Sequence, residues 1–322
     1  MRINTIFTEQ LGIELPIVQG GLAHLAFADL CAAVSNAGGL GQISAATIPG
    51  GIDALRDQIR EVRRLTDRPF AVNFAISAHR DTMEMVETAL DEGVSIMSFT
   101  AGNPEPFLTR LSGTGVRTLV LVAGVRQAQK VEQLGGSAVI AVGYDGGGHL
   151  GRDDIGTFVL VPRILESVSI PVLASGGVGN GRGLAAALAM GASGIEMGTR
   201  FVATAECIAH ESYKRALVDA RETDTTIIER SLGTPGRVLR NPMADRIIQL
   251  EEDGRRDDVI AAIRGNVNQL GAIEGDLQDG WVWAGQVAGL IHDVPTVSEL
   301  FERMVSEAAE LVSSAQNRFA LD

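Results

Sequence analysis

Eight times in its first two thirds the chain repeats one unit: a short apolar run rich in β-branched residues, a turn, then a stretch with helical spacing. The runs are Pro16–Gln19, Leu40–Ile43, Phe70–Phe74, Ile96–Phe99, Thr118–Val122, Ala138–Val142, Val172–Ser175 and Gly194–Met197. Helical spacing falls between them at Phe27–Asn36, Ile52–Leu65, Thr82–Asp91, Pro106–Leu111, Arg126–Leu134, Phe158–Val168 and Gly181–Ala189. Strands this apolar are buried on both faces, as when helices cover one side and packed side chains fill a closed sheet on the other. The pattern predicts an α/β chain folded as a (β/α)8 TIM barrel. An open doubly wound sheet is the rival, but it usually places Gly-x-Gly-x-x-Gly after its first strand, where this chain has Gln19-Gly20-Gly21-Leu22.

Beyond the eighth run the alternation stops. Ala205–Ala220 reads as a helix, and the charge-rich stretch from Thr225 to Asp279 reads as an inserted, mainly helical lid. The division expected is a barrel over residues 1–224, a lid or substrate domain over 225–280, and C-terminal helices completing the barrel over 281–322. The last part contains Trp281–Ile291 and the amphipathic run Val297–Phe319, in which Leu300, Met304, Ala308 and Leu311 recur at helical spacing. Arg230, Arg237, Arg240, Arg246, Arg255, Arg256 and Arg264 alternate with acids in the lid and are read as solvated faces or ion pairs.

Charge and cysteine usage narrow the partners. A net charge of -13 repels polyphosphate backbones, so no nucleic acid is expected. Lys130 and Lys214 are the only lysines, which leaves no polybasic tract for a membrane surface. No apolar stretch reaches the roughly 18 residues of a membrane span, and MRINTIFTEQ has no signal-like apolar core. Two cysteines, Cys31 and Cys207, make no disulfide framework, and a cytoplasmic location is expected.

In such a barrel the chemistry belongs to the loops at the carboxyl ends of the strands. Glycine, 38 of 322 residues, is concentrated there. Ser175-Gly176-Gly177-Val178-Gly179 follows the seventh run and Gly198-Thr199-Arg200 the eighth. Glycines in these two loops let backbone N–H groups approach an anion, so a phosphate is expected, of a substrate or of a cofactor. After the sixth run, Gly146-Gly147-Gly148-His149 carries an imidazole on a glycine-rich backbone at the barrel mouth, which makes His149 the leading acid/base candidate. His24 and His79 are weaker candidates for the same mouth, while His210 and His292 fall in C-terminal helices and read as structural or exposed. Asn73 is an amide inside an apolar run and needs a partner, either backbone or ligand. No metal site is expected: no His-x-x-x-His or Cys-x-x-Cys is present. Nucleophile elbows and P-loops are also lacking, which leaves hydrolase and kinase chemistry without support.

Taken jointly, several segments resemble one family, the nitronate monooxygenases (2-nitropropane dioxygenases), with their relatives the FMN-dependent enoyl-acyl-carrier-protein reductases. The segments are Pro16-Ile-Val-Gln-Gly-Gly-Leu-Ala23, Ala32-Ala-Val-Ser-Asn-Ala-Gly-Gly-Leu-Gly41, Val72-Asn73, Gly146-Gly-Gly-His149, Ser175-Gly-Gly177, Met197-Gly-Thr-Arg-Phe201 and Ala284-Gly-Gln-Val-Ala-Gly-Leu290. The resemblance covers nearly the whole chain and implies an FMN-binding barrel. By it, Gly20, Gly21 and Leu22 pass beside the flavin ring, Asn73 bonds its polar edge, and Ser175, Gly177, Gly198 and Thr199 hold its phosphate. Gly147, Gly148 and Gly176 complete the cofactor set, and His149 takes the catalytic place, abstracting the proton alpha to a nitro group. The chain departs from the family pattern at Val142, Asp145 and Gly146, where relatives often carry Glu-Gly-x-Glu-Ala-Gly-Gly-His, and at Leu22 and His24, which alter the pocket over the flavin.

Two activities follow from this resemblance. One is oxidation of alkyl nitronates with O2. The other is NAD(P)H-dependent reduction of an enoyl thioester, on an acyl-carrier protein or CoA, or of a quinone, with Arg237, Arg240 and Arg246 available for a carrier phosphate. Gly-Gly after Gln19 favours the reductases; Gly233-Thr-Pro-Gly-Arg237 with Leu239-Arg-Asn241 favours the monooxygenases. The partners are then a small-molecule substrate with O2, or an enoyl thioester, and a homodimer is the assembly to test. A phosphate-binding barrel without redox function, an aldolase-like enzyme or a ligand-binding module, is much the weakest reading; a barrel aldolase usually relies on a Schiff-base lysine, and neither lysine ends an apolar run.

Overall fold

A computed structural model describes residues 2–77 and 81–316. His79 lies outside the described residues, as do the last residues of the expected terminal helix. The strands are β1 (Ile17–Gln19), β2 (Gly41–Ser44), β3 (Phe70–Ala75), β4 (Ile96–Thr100), β5 (Arg117–Val122), β6 (Ala138–Val142), β7 (Gly148–His149), β8 (Val172–Ser175), β9 (Gly194–Met197), β10 (Thr225–Ile228) and β11 (Gly236–Leu239).

All eight apolar runs form parallel strands, in the order β1-β9-β8-β6-β5-β4-β3-β2, and a parallel bridge from Val18 to Leu40 closes the circuit into a (β/α)8 barrel. The strand faces divide as a barrel requires. Ile17, Ile43, Val72, Met97, Val120, Val139 and Ile195 point outward under the helices. Val18, Leu40, Ala71, Ile96, Leu119, Ile140 and Leu173 fill the inside, and Phe7 and Leu11 of the helix Ile6–Leu11 pack into this inner cluster.

The Ala205–Ala220 reading needs correction: the helix is Glu211–Asp219, with His210 as its N-cap and Nδ1 accepting from the Ser212 N–H at 3.1 Å. The helix Val297–Gln316 packs on the helix Gly181–Ala189, where a side chain in place of Gly181 would overlap the Met304 carbonyl. Asn180 caps that helix by accepting from the Gly183 N–H at 3.1 Å, and Glu307 accepts from the Gly181 N–H at 2.8 Å, satisfying another first-turn donor.

The inserted segment is not purely helical. It opens with β10 and β11, an antiparallel pair to which β7 adds as a third strand, with Gly236 opposite His149 and Arg237 opposite Gly148. The helices Pro242–Glu252 and Arg256–Ile263 follow, and Ile228, Val238, Met243, Ile247, Val259 and Trp281 form its own apolar core.

Candidate active site

Strand alternation puts Gln42, Asn73, Ser98, Ser175 and Glu196 inward at the carboxyl ends of their strands, so the upper layer of the barrel is polar where the lower layers are apolar. All five are buried. They are paired rather than orphaned: Asn73 Nδ2 donates to Ser98 Oγ at 2.8 Å, Ser98 Oγ donates to Gln42 Oε1, and Gln42 Nε2 donates to the Gln19 carbonyl at 2.8 Å. Across the barrel Ser175 Oγ donates to Glu196 Oε2 at 2.9 Å. Burial pushes the Glu196 carboxyl up to about 7, against the lowering effect of that single bond.

The expected cofactor residues sit on and around this layer. Gly20 and Gly21 cross it directly: a side chain at Gly21 would overlap Asn73 Oδ1, and one at Gly20 would stand 3.3 Å from the Glu196 carboxyl carbon. Leu22 reaches Gly198, where an added Cβ would lie 3.4 Å from Leu22 Cδ2. Thr199 Oγ1 accepts from the Gly285 N–H at 2.9 Å. Gly285 in turn lies against Gly147, where a Cβ would come within 2.6 Å of the Gly285 nitrogen. Asp145 closes the ring. Its Oδ2 accepts from the Thr157 N–H at 2.8 Å, its carbonyl from the Gln286 N–H at 3.0 Å, and its Cβ faces Gly177. The loops after β1, β6, β8 and β9 and the segment around Gly285 therefore form one contiguous cluster at the mouth.

Gly176 and Gly177 have left-handed φ of 92° and 75°, which only glycine adopts freely. Among the described residues no backbone carbonyl accepts from the N–H groups of Gly177, Gly198 or Thr199. The Arg200 guanidinium is turned away from them, donating to the carbonyls of Ala203 and Asp293 and pairing with the Asp293 carboxylate at 3.4 Å. Three free N–H groups on two glycine turns, beside a buried amide and a polar floor, fit a phosphate-bearing cofactor whose anionic end is held by backbone. Among the described residues no group of three His, Cys, Asp or Glu is placed to hold a metal ion.

His149 stands at the edge of this cluster on β7. Its glycine neighbours allow close packing more than they allow freedom, because the β7–β11 ladder pins the imidazole's backbone. The side chain is 54% exposed, its Nε2 is 3.8 Å from Glu229 Oε2, and its ring centroid is 5.0 Å from that of Trp283. His24, the other histidine near the mouth, has a left-handed φ of 65° and donates its N–H to Thr47 Oγ1 at 2.8 Å.

The lid arginines divide. Arg230 pairs with Asp154 at 3.0 Å and Arg240 with Asp245 at 2.9 Å, as expected of ion pairs, and Arg246 is exposed. Arg237 departs from the solvated reading. It is buried, donates through Nε and one terminal nitrogen to the Tyr144 carbonyl, and lies 4.5 Å from the Tyr144 ring centroid. Beside it a cleft of about 580 Å³ is lined by Tyr144, Thr225, Thr226, Arg230 and Glu251.

Sequence reasoning missed Gln42, Ser98 and Glu196, although each breaks an apolar run as Asn73 does. It also missed Glu229 and Trp283, which only the pairing of β7 with β11 brings to His149.

The chain is similar in sequence and fold to known proteins. The family model for nitronate monooxygenase matches residues 4–307. A Mycobacterium tuberculosis protein named (3aS,4S,5R,7aS)-5-hydroxy-7a-methyl-1-oxo-octahydro-1H-indene-4-carboxyl-CoA dehydrogenase is 34% identical, over 98% of this chain and 99% of that protein. Among solved structures, FabK from Thermotoga maritima superposes with a TM-score of 0.92 at 38% identity, covering 98% of this chain and 100% of that one. A nitroalkane oxidase from Streptomyces ansochromogenes does so at 0.81 and 31% identity, covering 96% and 99%.

Proposed function

This chain belongs to the nitronate monooxygenase family, and on that premise we propose that it is an FMN-dependent oxidoreductase that oxidises alkyl nitronates with O2. The observation that carries the reading is the cluster of unpaired N–H groups at Gly177, Gly198 and Thr199 on the same barrel mouth as His149. FMN bound there would supply the redox chemistry between the substrate and O2. The chain's own residues do the rest. Gly177, Gly198 and Thr199 would donate to the phosphate, with Ser175, Gly176, Gly147 and Gly148 shaping the cradle. Gly20, Gly21 and Leu22 would flank the ring, and Asn73 would offer Oδ1 to its polar edge. His149 removes the proton alpha to a nitro group when the substrate arrives as the neutral nitroalkane. Cys31 and Cys207 are buried free thiols, which suits a reducing compartment and supports a cytoplasmic location. Among the described residues no helix is long and apolar enough to cross a membrane.

A second reading, NAD(P)H-dependent oxidoreduction of a CoA or carrier-protein thioester, is favoured by the CoA dehydrogenase name of the Mycobacterium tuberculosis relative and by the cleft of about 580 Å³ beside Tyr144. Anaerobic mixing separates the two. Bleaching of the FMN-loaded enzyme by propionate 3-nitronate alone supports the first reading, whereas bleaching only by NADH, NADPH or an acyl-CoA rejects it. The His149→Ala variant is expected to keep its flavin and lose roughly 10²- to 10⁴-fold in turnover of neutral nitroalkanes. Unchanged turnover would remove His149 from the proton-transfer role.

A further inference from the structure

We propose that Glu229 is a positioning residue for His149, fixing the imidazole with its proton on Nε2 so that Nδ1 is the nitrogen free to act as base. This rests on the acid/base role given to His149 above. Glu229 lies on the turn between β10 and β11, and its carboxylate is buried while the imidazole it faces at 3.8 Å is half exposed. At that distance, longer than a hydrogen bond, a buried carboxylate favours by charge a proton on the nearer ring nitrogen.

The turn is built to present this group. Glu229 has a left-handed φ of 66°, a conformation that costs a residue with a Cβ and is retained only where the surroundings enforce it. Its carbonyl accepts from the N–H groups of Leu232 at 3.2 Å and Thr234 at 3.3 Å. Thr234 Oγ1 donates to the same Oε2 that faces His149, at 3.2 Å, and so fixes the carboxylate's rotamer. Among the described residues Glu229 has no ion-pair partner but His149. The nearby cations are engaged elsewhere: Arg237 with the Tyr144 carbonyl, Arg230 with Asp154, and Arg152 with the Gly233 carbonyl at 2.8 Å. The Trp283 ring, tilted 52° to the imidazole, is a further wall. Any side chain at Gly236, the β11 partner of His149, would press on that wall, its Cβ falling 2.6 Å from the indole.

The test is nitrogen NMR of ¹⁵N-histidine-labelled, FMN-loaded protein, read together with turnover on two substrates. In the parent protein the His149 signals should report one tautomer, protonated at Nε2. In Glu229→Gln they should report a mixture, with turnover of a neutral nitroalkane down about tenfold. Turnover of preformed nitronate, which has no such proton to lose, should hold within about twofold. Glu229→Asp should restore part of the loss, and Thr234→Val, which frees the carboxylate without removing it, should shift the tautomers in the same direction. Identical ¹⁵N signals in parent and Glu229→Gln, or an equal loss on both substrates, overturns the proposal. Should His149→Ala keep full nitroalkane turnover, the base role fails, whereas the ¹⁵N comparison still decides whether Glu229 positions the ring.

Discussion

A single buried carboxylate should govern the pH dependence of stability. Glu196 ordinarily ionises near 4.5 and in the folded barrel only at about 7, so between those values the native chain holds a proton that the unfolded chain has released. Stability therefore falls as pH rises through this window, by a total of about 3 kcal/mol if the whole shift is realised. Glu196→Gln keeps the shape and removes the titration. Thermal unfolding should show the variant gaining on the parent from pH 5 to pH 8, and a difference that stays flat with pH would mean the carboxyl is not held neutral. Such residues were only half legible. Asn73 was recognised because an amide interrupts Phe70–Phe74, and Glu196 interrupts Gly194–Met197 in the same way. What the one-dimensional pattern hid is that these interruptions share a level in the barrel, since strand register alone brings Ser175 opposite Glu196 and Asn73 opposite Ser98.

Among elements, the short ones carry the geometry of the candidate site, and they are the least visible in the sequence. The barrel strands announced themselves because both faces are apolar. β7 is only a glycine and a histidine, too short to have a period, and β10 is half exposed along three of its four residues, so its β-branched run sat unnoticed in a charged stretch. Arg237 reads like any lid arginine, yet it is the buried clamp between β11 and the loop after β6. Removing it should loosen both. Arg237→Met leaves the Tyr144 carbonyl and the Thr225 hydroxyl without their donor. Losing buried partners of this kind costs about 1–3 kcal/mol, more when the donor is charged. Denaturant unfolding should show a lower midpoint, and hydrogen exchange should speed up at β7 and β11 before it does at β1 or β9. Uniform acceleration over the barrel would mean that the small sheet has no separate stability of its own.

The whole molecule is strongly acidic, with a net charge of -13, yet its proposed ligand is an anion. A field of that sign, which repels polynucleotides, repels FMN too, and local geometry must offset it. The proposed cradle presents backbone N–H groups rather than basic side chains, and Arg200 pairs with Asp293. Recognition by neutral dipoles is little affected by ionic screening, whereas recognition by arginine or lysine weakens as salt rises. Screening also weakens the repulsion between an acidic protein and a dianionic phosphate. FMN affinity of the flavin-stripped protein, followed by fluorescence quenching, should therefore stay level or tighten slightly from about 0.05 to about 0.5 M NaCl. A fall of tenfold or more, roughly the effect of giving up one or two charged phosphate contacts, would place a cationic side chain in the cradle and displace the N–H groups of Gly177, Gly198 and Thr199 as its principal donors.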